Sequence, residues 1–349
     1  MIETWYFLLS FMLVVYVVLD GRNFGAGILH WYVARTPEER RQVVAAIGPL
    51  WSWHEVWLVG FGGTLFAVFP RLLASGFAGY YLALFLILWC LIFRGVALEV
   101  GGHLNDRMWQ GFWDFVFVIG SALLALLFGV AAGNLIRGVP LDAQGNFTMS
   151  FFTDFGIRGK VGLLDWYTVS VGVFSVVLLA AHGATYLTFK TEGPVHDRSA
   201  ACAKKLWLLV VPLFGIISAE GWIVRPELLE VAKGRPVCGL GIAIILAAIW
   251  ALFTGLRENH ESRAFYGSNF LIVGLMATGA LTFFPEMLHS TLKPENSFTA
   301  YSTGSPAGSM VMAIIWWPLA FFLSAAYFIY ISRRYSGKVS VSKDNQGYY

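Results

Sequence analysis

Two side chains that exchange protons near neutrality stand side by side in GPLWSWHEVWLVGFGG, residues 48–63: His54 and Glu55. A carboxylate crowded by Trp51, Trp53 and Trp57 next to an imidazole can relay protons. The same glutamate also suits the start of a helix, where the dipole favours an acid, and both readings are open. A second set, Asp20, Asn23, Gly27 and His30, falls on one stripe of a helix. That stripe is either a hydrated polar track or a helix contact, with Asp20 bound to Arg22 or to a neighbour. Gly21, Gly25 and Gly27 would let another helix approach closely. Arg94 and Glu99 sit too far apart round their helix to pair well, so Arg94 is expected to reach Asp20, Asp114 or Glu55 on another helix, or to snorkel to the interface. Glu220 and Arg225 are candidates for a pair at the end of their helix, and His182 reads as packing.

Other chemistry leaves no trace. The seven histidines are scattered, with no HExxH, no pair at i, i+4 and no CxxCH. There is no Walker loop, no GxGxxG and no assignable Ser/His/Asp set. The three cysteines, Cys90, Cys202 and Cys238, are too dispersed for a metal knuckle or a disulfide framework. No metal or cofactor site is expected in this chain, and alone it does not read as a complete enzyme.

The elements that must position these groups are membrane helices. The chain has 349 residues, 57% hydrophobic and 13% charged, against about 25% charged in soluble domains; mean hydropathy is +0.66. A net charge of +3 gives no reason to expect nucleic acid. A span needs ~20 mostly apolar residues and must be helical to satisfy its backbone in hydrocarbon. Nine candidates lie near 5–29, 53–73, 77–99, 112–136, 161–189, 205–224, 237–256, 268–288 and 308–332. The fold expected is an all-α membrane protein, a bundle of about nine transmembrane helices. Residues 1–332 would form a single polytopic membrane domain, and 333–349 a polar, frayed cytoplasmic tail. The loops after helices 1, 3, 5 and 7 and the C-terminal tail hold the majority of the 24 Lys and Arg residues, which puts the N-terminus outside and the C-terminus in the cytoplasm.

Several segments, in order, resemble subunit II of the bacterial cytochrome bd-type quinol oxidases, including the cyanide-insensitive branch. They are LDGRNFGAGIL, TPEERRQVVAAIGPLW, EVWLVGFGGTLFAVFP, GYYLALFLILWCLIFRGVALE, WDFVFVIGSALLALLFGVAAGNLIRGVPL, GATYLTFKTEGPVHDRS and FFPEMLHSTLKPENSFTAYSTGS. The resemblance covers residues 14 to about 305. It implies a haem-free chain of the bacterial plasma (inner) membrane, paired with a larger subunit I that holds haems b and d and the quinol site. It is compatible with a small single-helix subunit, and with lipid or a structural quinone on the helix faces. It also implies a cytoplasmic proton path for reduction of oxygen to water. The family's first helix usually carries two acids; here Asp20 keeps the first and Asn23 replaces the second. The family's W-D-G-N-E/Q-V-W-L becomes Trp51 to Leu58, so the acid implicated in proton entry is Ser52. Glu99 and Asp114 match acidic positions, while a basic position is Gly101. The path candidates are therefore Asp20, Asn23, Ser52, His54, Glu55, Glu99 and Asp114, with Arg94 as their structural ion partner. The competing reading is a proton-coupled secondary transporter, which interrupted helices and buried carboxylates would suit, although no inverted repeat is visible.

Overall fold

A hydrocarbon-compatible chain has few folding options, and the computed structural model, which describes residues 1–157 and 159–340, takes the helical one. Chain order is α1 (Ile2–Val33), α2 (Pro37–Ile47), α3 (Trp51–Val68), α4 (Pro70–Gly79), α5 (Tyr81–Val100), α6 (Arg107–Arg137), α7 (Trp166–Lys190), α8 (Gly193–Val224), α9 (Glu227–Lys233), α10 (Pro236–Glu258), α11 (Glu261–Phe283), a small hairpin of β1 (Glu286–Leu288) and β2 (Phe298–Thr299), α12 (Ala300–Thr303) and α13 (Ala307–Arg334). Among the described residues, eight helices are long and apolar enough to cross a membrane. Where sequence led to a ninth span, α3 and α4 are bent from each other by 117°, a broken span or a re-entrant loop. Pro70 supplies the break, because it lacks an amide hydrogen and disfavours helical geometry at Phe69. Helix starts are marked by polar caps where they leave the apolar region. Thr36 and Glu39 exchange bonds at the start of α2, Asp106 accepts from Trp109 N (2.7 Å), and Asp165 caps α7.

α1 is the central helix, packed by α3, α6, α7 and α11. Its approach to α7 is set by glycine. A Cβ on Gly25 would lie 2.0 Å from Leu179 O, and one on Gly183 would lie 2.4 Å from the Gly25 carbonyl carbon. The obstruction is backbone, which no rotamer change relieves. Gly25→Ala is therefore expected to force α1 and α7 apart and destabilise the chain by about 1–3 kcal/mol or more. A lower thermal midpoint in detergent, with Gly62→Ala (open space at that Cβ) unchanged, is the expected result.

The two termini lie at opposite ends of the bundle. At one end Tyr301 donates to Glu3 (2.8 Å), and the loops around Val139, Leu141, Phe147, Leu288 and Phe298 form a small apolar cap. At the other, Tyr335 to Val339 runs across the helix ends: Val339 N donates to Lys190 O (2.7 Å) and Gln42 donates to Val339 O (2.7 Å). This part of the expected frayed tail is thus packed; residues 341–349 lie outside the described residues.

The first of these ends also corrects a pairing. Arg225 does not pair with Glu220. It donates to Glu286, to Glu227 (2.9 Å) and to Ile136 O (3.2 Å), tying the loop after α11 to α6 and α8. Glu220 instead accepts from Ser170 (3.2 Å). A five-residue offset turns two helical side chains away from each other, and loop groups beyond the helix offered Arg225 better geometry. Burial pushes the Glu286 carboxyl up, but hydrogen bonds from His289 and Arg225 and the charge of Arg225 outweigh it and hold the group at about 2. A lowered carboxyl stabilises the fold fully above the unfolded value of about 4.3 and ceases to do so as pH falls through about 2. The midpoint difference between wild type and Glu286→Gln should therefore be largest above about pH 5 and close on acidification; a gap that widens toward low pH would contradict the assignment.

Candidate functional site: a buried ionic cluster

Midway along α1, Asp20 is fully buried, and so is Arg94 of α5. Arg94 Nη2 donates to Asp20 Oδ2 (3.0 Å) and Oδ1 (3.3 Å), Nη1 donates to Oδ1 (3.2 Å), and Nη2 also reaches Glu55 of α3. The guanidinium carbon sits 4.5 Å from the centroid of the Phe24 ring. One cation thus serves two carboxylates from two helices. Arg94 does not snorkel, and Asp20 does not bind Arg22. Burying the Arg94 charge is tolerable because carboxylates answer it, and removing Arg94 would strand both of them.

Arg22, two residues on from Asp20, faces a different direction round α1. Its Nη2 stands 2.9 Å from His54 Nε2 and its guanidinium lies over Tyr186 at 4.7 Å. Arginine only donates, so Nε2 accepts and the ring proton of a neutral His54 is on Nδ1. That nitrogen is 2.6 Å from the Asn23 amide, and the same amide atom is 2.8 Å from Asp20 Oδ1. With nitrogen in that place, Asn23 donates to Asp20 and the ring proton has no acceptor. With the amide turned, its oxygen accepts from His54 and requires a hydrogen between itself and Asp20. The two settings differ by one proton in the set. A carboxylate pair and the arginine between them are the parts of a proton-holding site. Phe328 of α13 covers His54 at 6.2 Å between ring centroids, and Trp53 stacks on Tyr327 at 4.0 Å.

The sequence candidates therefore divide. Asp20, Asn23, His54 and Glu55 come together around Arg94. His54 and Glu55 do not bond each other: consecutive residues point about 100° apart on a helix, and each found its own arginine. Asp114 belongs to a second group nearer the end of the bundle that carries α2. There it stands 3.0 Å from His30 Nε2 and accepts from Arg40 Nη1 (2.8 Å). Glu99 is exposed and accepts from Trp51 Nε1 (3.2 Å). Ser52 is exposed on the outward face of α3, apart from both groups. Arg22 and Arg40, which close the two groups, were not singled out by spacing. Their signal was only that an arginine beside a membrane helix needs an acceptor.

The match to the family described as cytochrome bd terminal oxidase subunit II runs over residues 1–334. The chain belongs to that family. Relatives of this subunit II chain include subunit 2 of the cytochrome bd-I ubiquinol oxidase of Escherichia coli K12, 29% identical over 327 residues and covering 86% of this chain and 85% of the relative. Subunit 2 of the cytochrome bd ubiquinol oxidase of Bacillus subtilis is 27% identical over 316 residues, covering 89% of each. A chain in the structure of the bd oxidase from Geobacillus thermodenitrificans superposes with a TM-score of 0.69 at 15% identity, covering 92% of this chain and 93% of that one, which shows the shared fold. As a bd subunit II, the chain is a multi-pass bacterial inner-membrane protein and part of a haem-containing quinol oxidase with a partner subunit. The transporter reading falls with that membership.

The haem groups of such a complex do not fit the buried histidines of this subunit II. His54 is held at both ring nitrogens by Arg22 and Asn23, and His182 by Ser268 (2.9 Å) and Val18 O (3.0 Å). His30 is bonded to Asp114 and closed over by Phe117 at 5.3 Å between centroids. Among the described residues, no group of three or more His, Cys, Asp or Glu side chains is placed to hold a metal ion.

Proposed function

We propose that this chain is the haem-free subunit II of a quinol:oxygen oxidoreductase, holding a subunit I that bears haems b and d, and that its ionic cluster carries protons from the cytoplasm toward the site where oxygen becomes water. The observation that carries this is one buried arginine, Arg94, shared by two carboxyls on separate helices, Asp20, which is fully buried, and Glu55, whose side chain is 20% exposed. A single ion pair would suffice to hold two helices together. A second carboxyl on the same guanidinium adds a desolvated charge that structure alone does not require, and it is the kind of group that exchanges protons.

The stepwise role of each residue follows from its contacts. Asn23 donates its amide hydrogen to Asp20 and stands against His54, so it orients both without itself carrying a proton. Arg22 fixes the ring orientation of His54. Arg94 holds Asp20 and Glu55 close enough to share a proton. The aromatic cover from α13 limits access of bulk water to His54. Haem in the partner would pass electrons from quinol to oxygen. The bias of basic residues supports a cytoplasmic location for the end carrying α2 and the C-terminus, in a reading with 1–332 as the membrane domain, 333–349 as its tail and lipid on the exposed apolar faces of α8, α10 and α13. The test is isolation of the complex through a tag on this chain. The expected result is co-elution of one larger haem-bearing chain with quinol-driven oxygen uptake; a haem-bound chain eluting alone would contradict the proposal.

A further inference from the structure

The cluster needs a supply, and neither Ser52 nor Glu99 touches it: both are exposed, and Glu99 is bonded to Trp51. A different strip does lead inward. On α6, Asp114, Phe117 and Ser121 share one face at offsets of three and seven residues. On α1, His30, Gly27 and Asn23 do the same in the opposite direction. The two strips face each other. Asp114 meets His30 at 3.0 Å, Phe117 lies edge-on to His30, and a Cβ on Gly27 would come within 2.0 Å of Ser121 Oγ and 3.1 Å of Phe117 Cζ. The next residue back, Gly120, sits against Arg94, its Cβ position 3.5 Å from Arg94 Cβ.

Along this strip buried polar atoms stand without partners: Arg40 Nε, His30 Nδ1, Ser121 Oγ, Asn23 Oδ1 and Arg94 Nε. Ser121 is fully buried and makes none of the backward bonds to its own helix that Ser10, Thr185 and Thr188 make. An orphaned buried polar group is costly. A row of them is tolerated where internal water bridges them in turn. The spacing suits this: Gly27 lies about 4.5 Å along α1 from His30 and about 6 Å from Asn23, each gap about that of one bridging water.

Resting on the proton-path reading above, we propose that Asp114, His30 and Ser121 form the cytoplasmic entry that feeds the Asp20–Arg94–Glu55 cluster. Asp114, partly exposed and oriented by Arg40, takes a proton from solvent. It passes that proton to His30 Nε2 while Nδ1 releases its own inward, so the ring is neutral before and after and resets by tautomer exchange. Ser121 accepts the released proton at an oxygen lone pair and gives up its hydroxyl hydrogen on the far side to bridging water, which delivers it to the Asp20 carboxylate that Asn23 orients. No charge stays on the serine. His30 and Ser121 are proton-carrying residues of the chain and touch no substrate.

The experiment uses the intact oxidase with Ser121→Ala, His30→Gln and Glu55→Gln, each checked for full haem absorbance, and compares quinol-driven oxygen uptake in H2O and D2O. Ser121 makes no bond to lose, so a merely structural serine predicts that Ser121→Ala is neutral or stabilising. The proposal predicts a slowing of about tenfold with a larger solvent isotope effect. His30→Gln keeps a bond to Asp114 but cannot take a proton at one atom and release it at another, and it should slow to a similar degree. Wild-type rates and isotope effects in Ser121→Ala and His30→Gln, with Glu55→Gln slow, would overturn the entry and leave the cluster reading standing. Wild-type behaviour in all three would overturn both. Should Ser121→Ala fail to assemble, His30→Gln alone decides.

Discussion

Replacing Arg94 by methionine is expected to cost the chain about 3–5 kcal/mol and to prevent recovery of an intact oxidase. The side chain is fully buried and donates to Asp20 and Glu55 at once. Methionine fills a similar volume, so the loss is electrostatic: two carboxyls remain in a low-dielectric interior with no cation, and breaking a buried pair from one side carries that penalty. The guanidinium of Arg94 also lies over the Phe24 ring at 4.5 Å, and methionine loses that cation–π contact as well. The check is recovery of haem-bearing complex from membranes, together with a double-mutant comparison. Arg94→Met combined with Asp20→Asn should be less damaging than the sum of the two, because the second change removes a charge the first left stranded. Strict additivity would show that the two groups do not act as a pair.

Glu55→Gln should do the reverse, leaving assembly intact and lowering turnover by about tenfold or more, which corresponds to about 1.4 kcal/mol or more on the barrier. Glutamine is isosteric and still accepts from Arg94 through its amide oxygen, and Arg94 retains Asp20 as counter-ion. What is lost is the capacity to take up and release a proton. Loss of haem content in Glu55→Gln would instead mark the residue as a structural partner of Arg94.

The contrast between these two substitutions was partly legible in the chain itself. Asp20, Glu55 and Asp114 were the acids within reach of Arg94, and it took the first two. Periodicity fixes which residues share a face of one helix, so the alignment of Asp20 with Asn23 and of Gly27 with His30 could be read directly. It does not fix which helix that face meets. Hence the apparent His54–Glu55 pair divided between Arg22 and Arg94, and the Glu220–Arg225 pair did not form. The break at Pro70 was visible as a proline but was absorbed into one long apolar run. Ser121 carried no signal at all, since a serine in a membrane helix ordinarily bonds its own backbone. Only the structure shows that it makes no such bond and faces Gly27 instead.

The most direct test is time-resolved proton uptake from the cytoplasmic side of liposome-embedded oxidase, followed with a pH-sensitive dye after an oxygen pulse to the fully reduced enzyme. Wild type should take up protons in step with haem oxidation. The Glu55→Gln and Asp20→Asn enzymes should oxidise their first electrons normally and then stall, with uptake delayed by about tenfold. Uptake that keeps pace with wild type in both variants would contradict a proton-carrying role for the Asp20–Arg94–Glu55 cluster.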